Sequence, residues 1–201
     1  MFRRLLSRNS SAVGRAAFMT VPAAHCVLVT GGARSGKSLY AEALIRQSRL
    51  APVYVATCTP HDAEMEERVV RHRIQRGDGW ATIEEQRAIA DVIARESTAD
   101  RAILVDCLTL WLSNLMFADA DIEAETDRLV AALTEAKGPV VCVTNEVGSG
   151  IVPENPLARR FRDAQGRLNR SIAEAADAVV LVAAGQPLVL KPSPVQPEIR
   201  L

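Results

Sequence analysis

Eight residues near the start of the chain have the types and spacing to hold a triphosphate. Gly31-Gly32-Ala33-Arg34-Ser35-Gly36-Lys37-Ser38 fits G-x-x-x-x-G-K-[ST], and the chain contains no second match. The glycines let backbone N–H groups converge on phosphate oxygens, and the N-terminus of a following helix adds free donors and a favourable dipole. In such a loop the Lys37 ammonium reaches the β- and γ-phosphates and the Ser38 hydroxyl ligates Mg²⁺. Asp106 closes an apolar run, the position of an acid that holds the Mg²⁺ shell. A strand-end aspartate can equally cap the segment that follows. This spacing selects neither the nucleotide nor the acceptor.

Two further constellations carry chemical options. Glu64, Arg68 and His72 recur every fourth residue and share one helical face. His72 stands between Arg71 and Arg73, with Arg76 one turn on. Neighbouring positive charge favours the neutral imidazole, which is nucleophilic at nitrogen, and the same arginines can neutralise a phosphate under attack. The bland reading is a surface helix with salt bridges and an incidental histidine. The stretch Thr144-Asn145-Glu146-Val147-Gly148-Ser149-Gly150 begins where an apolar run ends. Loops at the carboxyl ends of parallel strands carry ligands, so Asn145 and Glu146 are either ligand contacts or parts of an ordinary connection. Arg159, Arg160, Arg162, Asp163, Arg167 and Asn169 follow, on a helix that is either part of the site or a solvated face.

These residues need strands to present them. Apolar, β-branched runs stand at 26–30, 53–57, 102–106, 140–144 and 178–182, with a short one at 188–190. Helical patterns fill 37–44, 62–76, 121–136 and 156–176, the last with a break at Gly166. Strands without alternation, separated by helices, predict one α/β domain with a mainly parallel sheet flanked by helices on both faces, over about residues 26–191. Pro192, Pro194 and Pro197 end the ordered chain, leaving 192–201 as a tail.

Composition narrows the function classes. The 201 residues hold 24 Lys+Arg against 24 Asp+Glu, so a strongly basic nucleic-acid binder is not expected. With 4% aromatic residues, a stacking platform for single strands has few members. The apolar runs are too short for a transmembrane span. Residues 1–25 carry Arg3, Arg4, Arg8 and Arg15 and no acid. They lack a continuous apolar stretch, so they read as a disordered extension, as a start placed before the true one at Met19, or as a transit peptide. Cys26, Cys58, Cys107 and Cys142 lie in or beside apolar runs without a C-x-x-C, predicting buried free thiols of a reducing, cytoplasmic setting. With His25, His61 and His72 as the only histidines, a zinc cluster is not expected.

Taken together, several sequence words resemble the bifunctional adenosylcobinamide kinase / adenosylcobinamide-phosphate guanylyltransferase family. They are Thr30 to Ser38, Asp62-Ala63-Glu64-Met65 with Arg68 and His72-Arg73, and Trp80 with Thr82-Ile83-Glu84-Glu85. Val105 to Asn114, Thr144 to Pro153, Phe161-Arg162-Asp163, Gly166 and Asn169 complete the set. The resemblance implies a RecA-like P-loop domain. It also implies two reactions: phosphorylation of adenosylcobinamide by ATP or GTP, then transfer of GMP from GTP through a covalent histidine–GMP intermediate. It assigns the guanylylated histidine to His72, the phosphate loop to Gly31–Ser38 and the conserved acid to Asp106. Glu64, Arg68, Arg73, Glu84, Asn145 and Glu146 then fall among the nucleotide-binding positions. Members of this kind can form trimers or other homo-oligomers. Where the family often has Arg-Pro, this chain has Arg76-Gly77, which loosens the turn. A single-activity P-loop small-molecule kinase and a non-enzymatic nucleotide-dependent switch are the alternatives.

Overall fold

In the computed structural model, the described residues are 24–58, 67, 73–74 and 76–192. The leader apart from its last two residues, the tail beyond Pro192, and most of the predicted 62–76 helix, including Glu64, Arg68 and His72, lie outside them. Among the described residues seven strands form one sheet, in the order β3-β2-β4-β5-β1-β6-β7. They are β1 (Cys26–Thr30), β2 (Ala51–Ala56), β3 (Ala81–Glu84), β4 (Arg101–Asp106), β5 (Val140–Val143), β6 (Ala178–Ala183) and β7 (Gln186–Lys191). Every pairing is parallel except β6 with β7. The predicted mainly parallel α/β sheet is therefore found. Parallel strands buried on both faces need no alternation, and β4 and β5 are almost wholly buried apolar residues.

Five helices are defined among the described residues: α1 (Lys37–Ser48), α2 (Ile89–Glu96), α3 (Leu108–Phe117), α4 (Ile122–Thr134) and α5 (Pro156–Ala175). One face of the sheet packs against α2 to α5, with Trp111, Leu112, Leu129 and Leu168 fully buried there. The other face receives α1 through Ala41 and Ile45. Caps fix where helices begin. Asp121 accepts from the N–H groups of Glu123 and Ala124, and Asn155 from those of Leu157 and Ala158.

Two expectations change. The 156–176 helix does not break at Gly166, because α5 runs unbroken from Pro156 to Ala175. Gly166 lies on its exposed side, and the buried stripe of Ala164, Leu168 and Ile172 outweighs the ~1 kcal/mol a helical glycine costs. The buried-thiol reading holds for Cys26, Cys107 and Cys142 but not for Cys58, which is only half-buried. The last strand joins by a hairpin, since Ala184 and Gly185 both have positive φ (50° and 77°), as a two-residue turn between antiparallel strands requires.

Candidate functional site

β1 ends at Thr30, and the chain passes through Gly31–Gly36 into α1. Gly36 is the N-cap of α1 at φ 96°, ψ 4°, a conformation that only glycine adopts freely. Gly31 must lack a side chain for a different reason: a Cβ there would run into the carbonyl oxygen of Val182 on β6. The β6–β7 turn supports the loop from the other side, with Gly185 N–H donating to the Ser35 carbonyl at 2.8 Å. No side chain caps α1, so its first-turn N–H groups face the loop as anion donors. Lys37, nearly buried, donates to the Gly32 carbonyl at 3.0 Å.

A cleft of about 430 Å³ opens above the carboxyl ends of β1, β2, β4 and β5. Ala33, Lys37, Ser38, Asp106, Asn145 and Glu146 line it, and Arg73 and Glu84 line its far wall. The structure thus brings together most of the described residues singled out from sequence. Gly31, Gly32, Arg34, Ser35 and Gly36 form the loop beneath. Arg73 and Glu84 meet as an exposed ion pair at 3.4 Å, a contact of little energetic weight in solvent.

Asp106 sits half-buried at the end of β4, and the Tyr54 hydroxyl donates to its Oδ2 at 3.3 Å. Burial first, then the Asp106 charge, pushes the Tyr54 phenol far above its ordinary range, so it stays a proton donor. The neighbouring Cys107 thiol is pushed up to about 12 by burial and by Asp106, which makes it inert at neutral pH. Ser38 and Asp106 are hard oxygen donors beside a phosphate loop, which suits Mg²⁺. Among the described residues no group of three or more His, Cys, Asp or Glu side chains could hold a metal. Such an ion would therefore draw its other ligands from phosphate oxygens and water.

Polar residues, most of them without an assignment from the sequence, hold this site in shape, and Asn169 falls on the site side of its two readings. The buried Thr57 hydroxyl donates to the Cys107 carbonyl and accepts from the Cys107 N–H, both at 2.8 Å, tying the end of β2 to the end of β4. Asn114 on α3 donates to the carbonyls of Thr57 (2.8 Å) and Gln86 (3.1 Å). Trp111 donates to Arg87 at 2.7 Å. On the other side, Thr144 donates to Asn169 Oδ1 at 2.7 Å, and Gln165 donates to both. Asn169 then donates to the Asn145 carbonyl at 3.0 Å, while Thr109 accepts from the Asn145 N–H at 2.8 Å. Glu146 N–H donates to the Gly31 carbonyl at 3.1 Å, which joins this loop to the phosphate loop.

The α5 arginines divide. Arg159 donates to the carbonyls of Pro153 and Glu154, Arg162 pairs with Asp163 at 3.0 Å, and Arg160 and Arg167 are solvated. The Arg76-Gly77 turn is closed rather than loose: Gly77 takes φ 67°, and its N–H donates to the carbonyls of Arg73 and Ile74. A proline in its place could not donate either bond. Thr57, Asn114 and Thr144 stand as polar side chains in or beside apolar runs, whereas Gln165 and Asn169 lie in a polar helix that gives no such signal.

Comparison with known proteins bears on the whole domain. The family model described as cobinamide kinase / cobinamide phosphate guanyltransferase matches residues 27–190. The chain is 44% identical over 169 residues to the bifunctional adenosylcobalamin biosynthesis protein CobP of Pseudomonas aeruginosa, covering 83% of this chain and 98% of that one. It is 44% identical over 174 residues to the bifunctional adenosylcobalamin biosynthesis protein CobU of Salmonella typhimurium, covering 79% and 96%. Among solved structures, the flagellar accessory protein FlaH of Methanocaldococcus jannaschii aligns at 14% identity with a TM-score of 0.46, covering 83% of this chain and 78% of that one.

Proposed function

This chain belongs to the cobinamide kinase / cobinamide phosphate guanyltransferase family, and from that premise we propose that one cleft serves two successive transfers. In the first, the hydroxyl of the aminopropanol arm of adenosylcobinamide attacks the γ-phosphorus of ATP or GTP, and the nucleoside diphosphate leaves. In the second, the His72 imidazole nitrogen attacks the α-phosphorus of GTP. A P–N bond forms, the α–β P–O bond breaks, and pyrophosphate leaves. An oxygen of adenosylcobinamide phosphate then attacks the same phosphorus and releases the histidine, giving adenosylcobinamide-GDP. Two in-line displacements replace one difficult transfer.

The observation that carries this reading is the convergence of the phosphate loop, Asp106, Asn145 and Glu146 on a single cleft, with Arg73 on its far wall. Arg73, which lines that cleft, directly follows His72 in the chain. Lys37 and the loop N–H groups neutralise and orient the triphosphate; phosphoryl transfer needs mainly this positioning and charge compensation. Ser38 and Asp106 would hold Mg²⁺, which supplies Lewis-acid neutralisation of the phosphate oxygens when bound. Arg73, with Glu64, Arg68 and Glu84, is assigned to nucleotide contacts around the histidine. No helix among the described residues is long and apolar enough to cross a membrane. The substrates are small molecules rather than nucleic acid, and a homotrimer or other homo-oligomer is the proposed assembly.

The test is incubation of the wild type and His72→Ala with α-labelled GTP. The wild type should take up label in an acid-labile, base-stable phosphoramidate that maps to His72. His72→Ala should lose the adduct and GMP transfer while cobinamide phosphorylation survives. Label retained in the variant, or mapped to Lys37 or a serine, would overturn the assignment. A wild type that phosphorylates cobinamide but never takes up label is the single-activity kinase instead.

A further inference from the structure

A kinase acting on cobinamide must hold two ligands at once, the phosphoryl donor and the macrocycle. The cleft of about 430 Å³ above the phosphate loop is a space for one of them, since pockets for a single small ligand run from roughly 300 to 1,000 Å³. A second cavity of about 540 Å³ adjoins it, and Val147 lines both. Met116 and Phe117 at the end of α3 form one wall, and Leu157 and Phe161 in the first turns of α5 form another. Pro153, of the loop between β5 and α5, completes the apolar lining. Phe117 is left 78% exposed and Leu157 49%, and the same loop exposes Ile151 and Val152. Large apolar side chains left in water around a cavity mark a binding surface.

We propose that this second cavity seats the corrin macrocycle of the acceptor, with its aminopropanol arm reaching past Val147 into the nucleotide cleft. The chemistry of the lining selects this occupant. A corrin ring has broad apolar faces and carries amides around its edge. Met116, Phe117, Leu157 and Phe161 offer the faces an apolar wall, and three polar side chains of the lining, Ser113, Asn155 and Arg162, can donate to amide carbonyls. A second phosphate group is a poor fit. The Leu157 and Ala158 N–H groups at the start of α5 are already taken by the Asn155 cap, and Arg162 is paired with Asp163 at 3.0 Å. Position agrees with chemistry. Val147 directly follows Asn145 and Glu146, which line the nucleotide cleft, and α3 begins two residues after Asp106. The ring is unchanged by either transfer, and only the end of its arm reacts, so one seat serves both reactions.

This inference rests on the reading of the chain as a cobinamide kinase and guanylyltransferase. Its test is equilibrium dialysis of adenosylcobinamide against the full-length protein with a non-hydrolysable GTP analogue, read by corrin absorbance. Phe117→Ser and Leu157→Ser remove exposed side chains, so the fold should survive both. Each should weaken adenosylcobinamide binding about tenfold, the scale of burying one such side chain, and raise KM for the corrinoid in both reactions by the same factor. Affinity for the nucleotide, and kcat at saturating corrinoid, should stay within twofold of wild type. Phe117→Leu should restore most of the loss. Leu188→Ser, an equally exposed apolar position on β7 outside this cavity, is the control and should leave corrinoid affinity unchanged. Hydrogen exchange should show protection of residues 113–117 and 153–161 when adenosylcobinamide is added. Corrinoid affinity unchanged in both serine variants, an equal loss in Leu188→Ser, or no protection of these segments would overturn the proposal. Sedimentation of the same variants covers the other occupant: a lower assembly mass with unchanged corrinoid affinity gives this face to a second copy of the chain and overturns it too. A wild type that neither binds nor phosphorylates adenosylcobinamide refutes the functional reading itself, whereas normal turnover in wild type and both serine variants refutes only this seat.

Discussion

Asn169→Ala tests whether the cleft depends on the polar cluster behind it. Asn169 makes three hydrogen bonds: it accepts from Thr144 (2.7 Å) and Gln165 (2.8 Å) and donates to the Asn145 carbonyl (3.0 Å). Thr144 and Gln165 are fully buried, so water cannot readily replace the lost partner. At about 1 kcal/mol net per bond, the substitution should cost about 3 kcal/mol of stability. For a domain of this size that corresponds to a fall of roughly 6–12 °C in melting temperature. The Asn145 carbonyl is the site end of the cluster, so KM for the nucleotide should rise more than kcat falls. Urea unfolding gives the free energy, and steady-state kinetics on folded enzyme gives the split. Arg167→Ala, solvated on the same helix, should change stability by less than about 0.5 kcal/mol and serves as the control. A loss below about 1 kcal/mol in Asn169→Ala, or a fall in kcat alone, would refute the argument that this cluster holds the Asn145–Glu146 loop in place.

Lys37→Ala should abolish cobinamide phosphorylation and sharply weaken triphosphate binding, as measured by fluorescent-nucleotide titration. Asp106→Asn should lower turnover and metal affinity while leaving the circular dichroism spectrum unchanged. With a thiol reagent at pH 8, Cys58 should react first and be shielded by bound nucleotide, because it lines the cleft. Burial raises Cys26 to about 11, mainly by desolvation, so its thiolate share at pH 8 is about 0.1%, and Cys107, pushed to about 12, has about 0.01%. Both should label only on unfolding, which peptide mass spectrometry reads. Glu42 is held above the usual carboxylate range, chiefly by burial. A raised carboxyl pKa contributes stability that is present below the unfolded value and is lost as pH rises through the folded one. Glu42→Gln should therefore gain stability relative to wild type as pH rises from 4 to 8; a gap that narrows over that range would contradict the burial argument.

What could be read from the sequence, and what could not, follows from how each residue meets its surroundings. The central strands β1, β2, β4, β5 and β6 lie within two residues of their predicted bounds, because a strand buried on both faces is written as an unbroken apolar run. β3 was not predicted. It is an edge strand with a single neighbour and only one half-buried apolar side chain, Ile83, so neither alternation nor a run marks it. α3 was not predicted for the opposite reason: Leu108, Trp111, Leu112 and Leu115 are buried and Leu110 and Met116 half-buried, and with only Thr109, Ser113 and Asn114 polar no charged face marks a period. The phosphate loop was legible because its chemistry is backbone chemistry, and glycine spacing records backbone geometry. Tyr54, Thr57, Gln165 and Asn169 act by side-chain contacts to residues 21 to 52 positions away in the chain, and such pairings leave no local pattern. Arg76 is the sharpest instance. In sequence it is one more arginine of a charged stretch; in the fold it is buried while Arg73 and Ile74 before it are exposed, because the Tyr54 ring gives its charge an aromatic face to rest on. A cation is buried at a cost of several kcal/mol unless it is compensated, and here the face of the Tyr54 ring and the nearby Glu42 carboxylate supply the compensation.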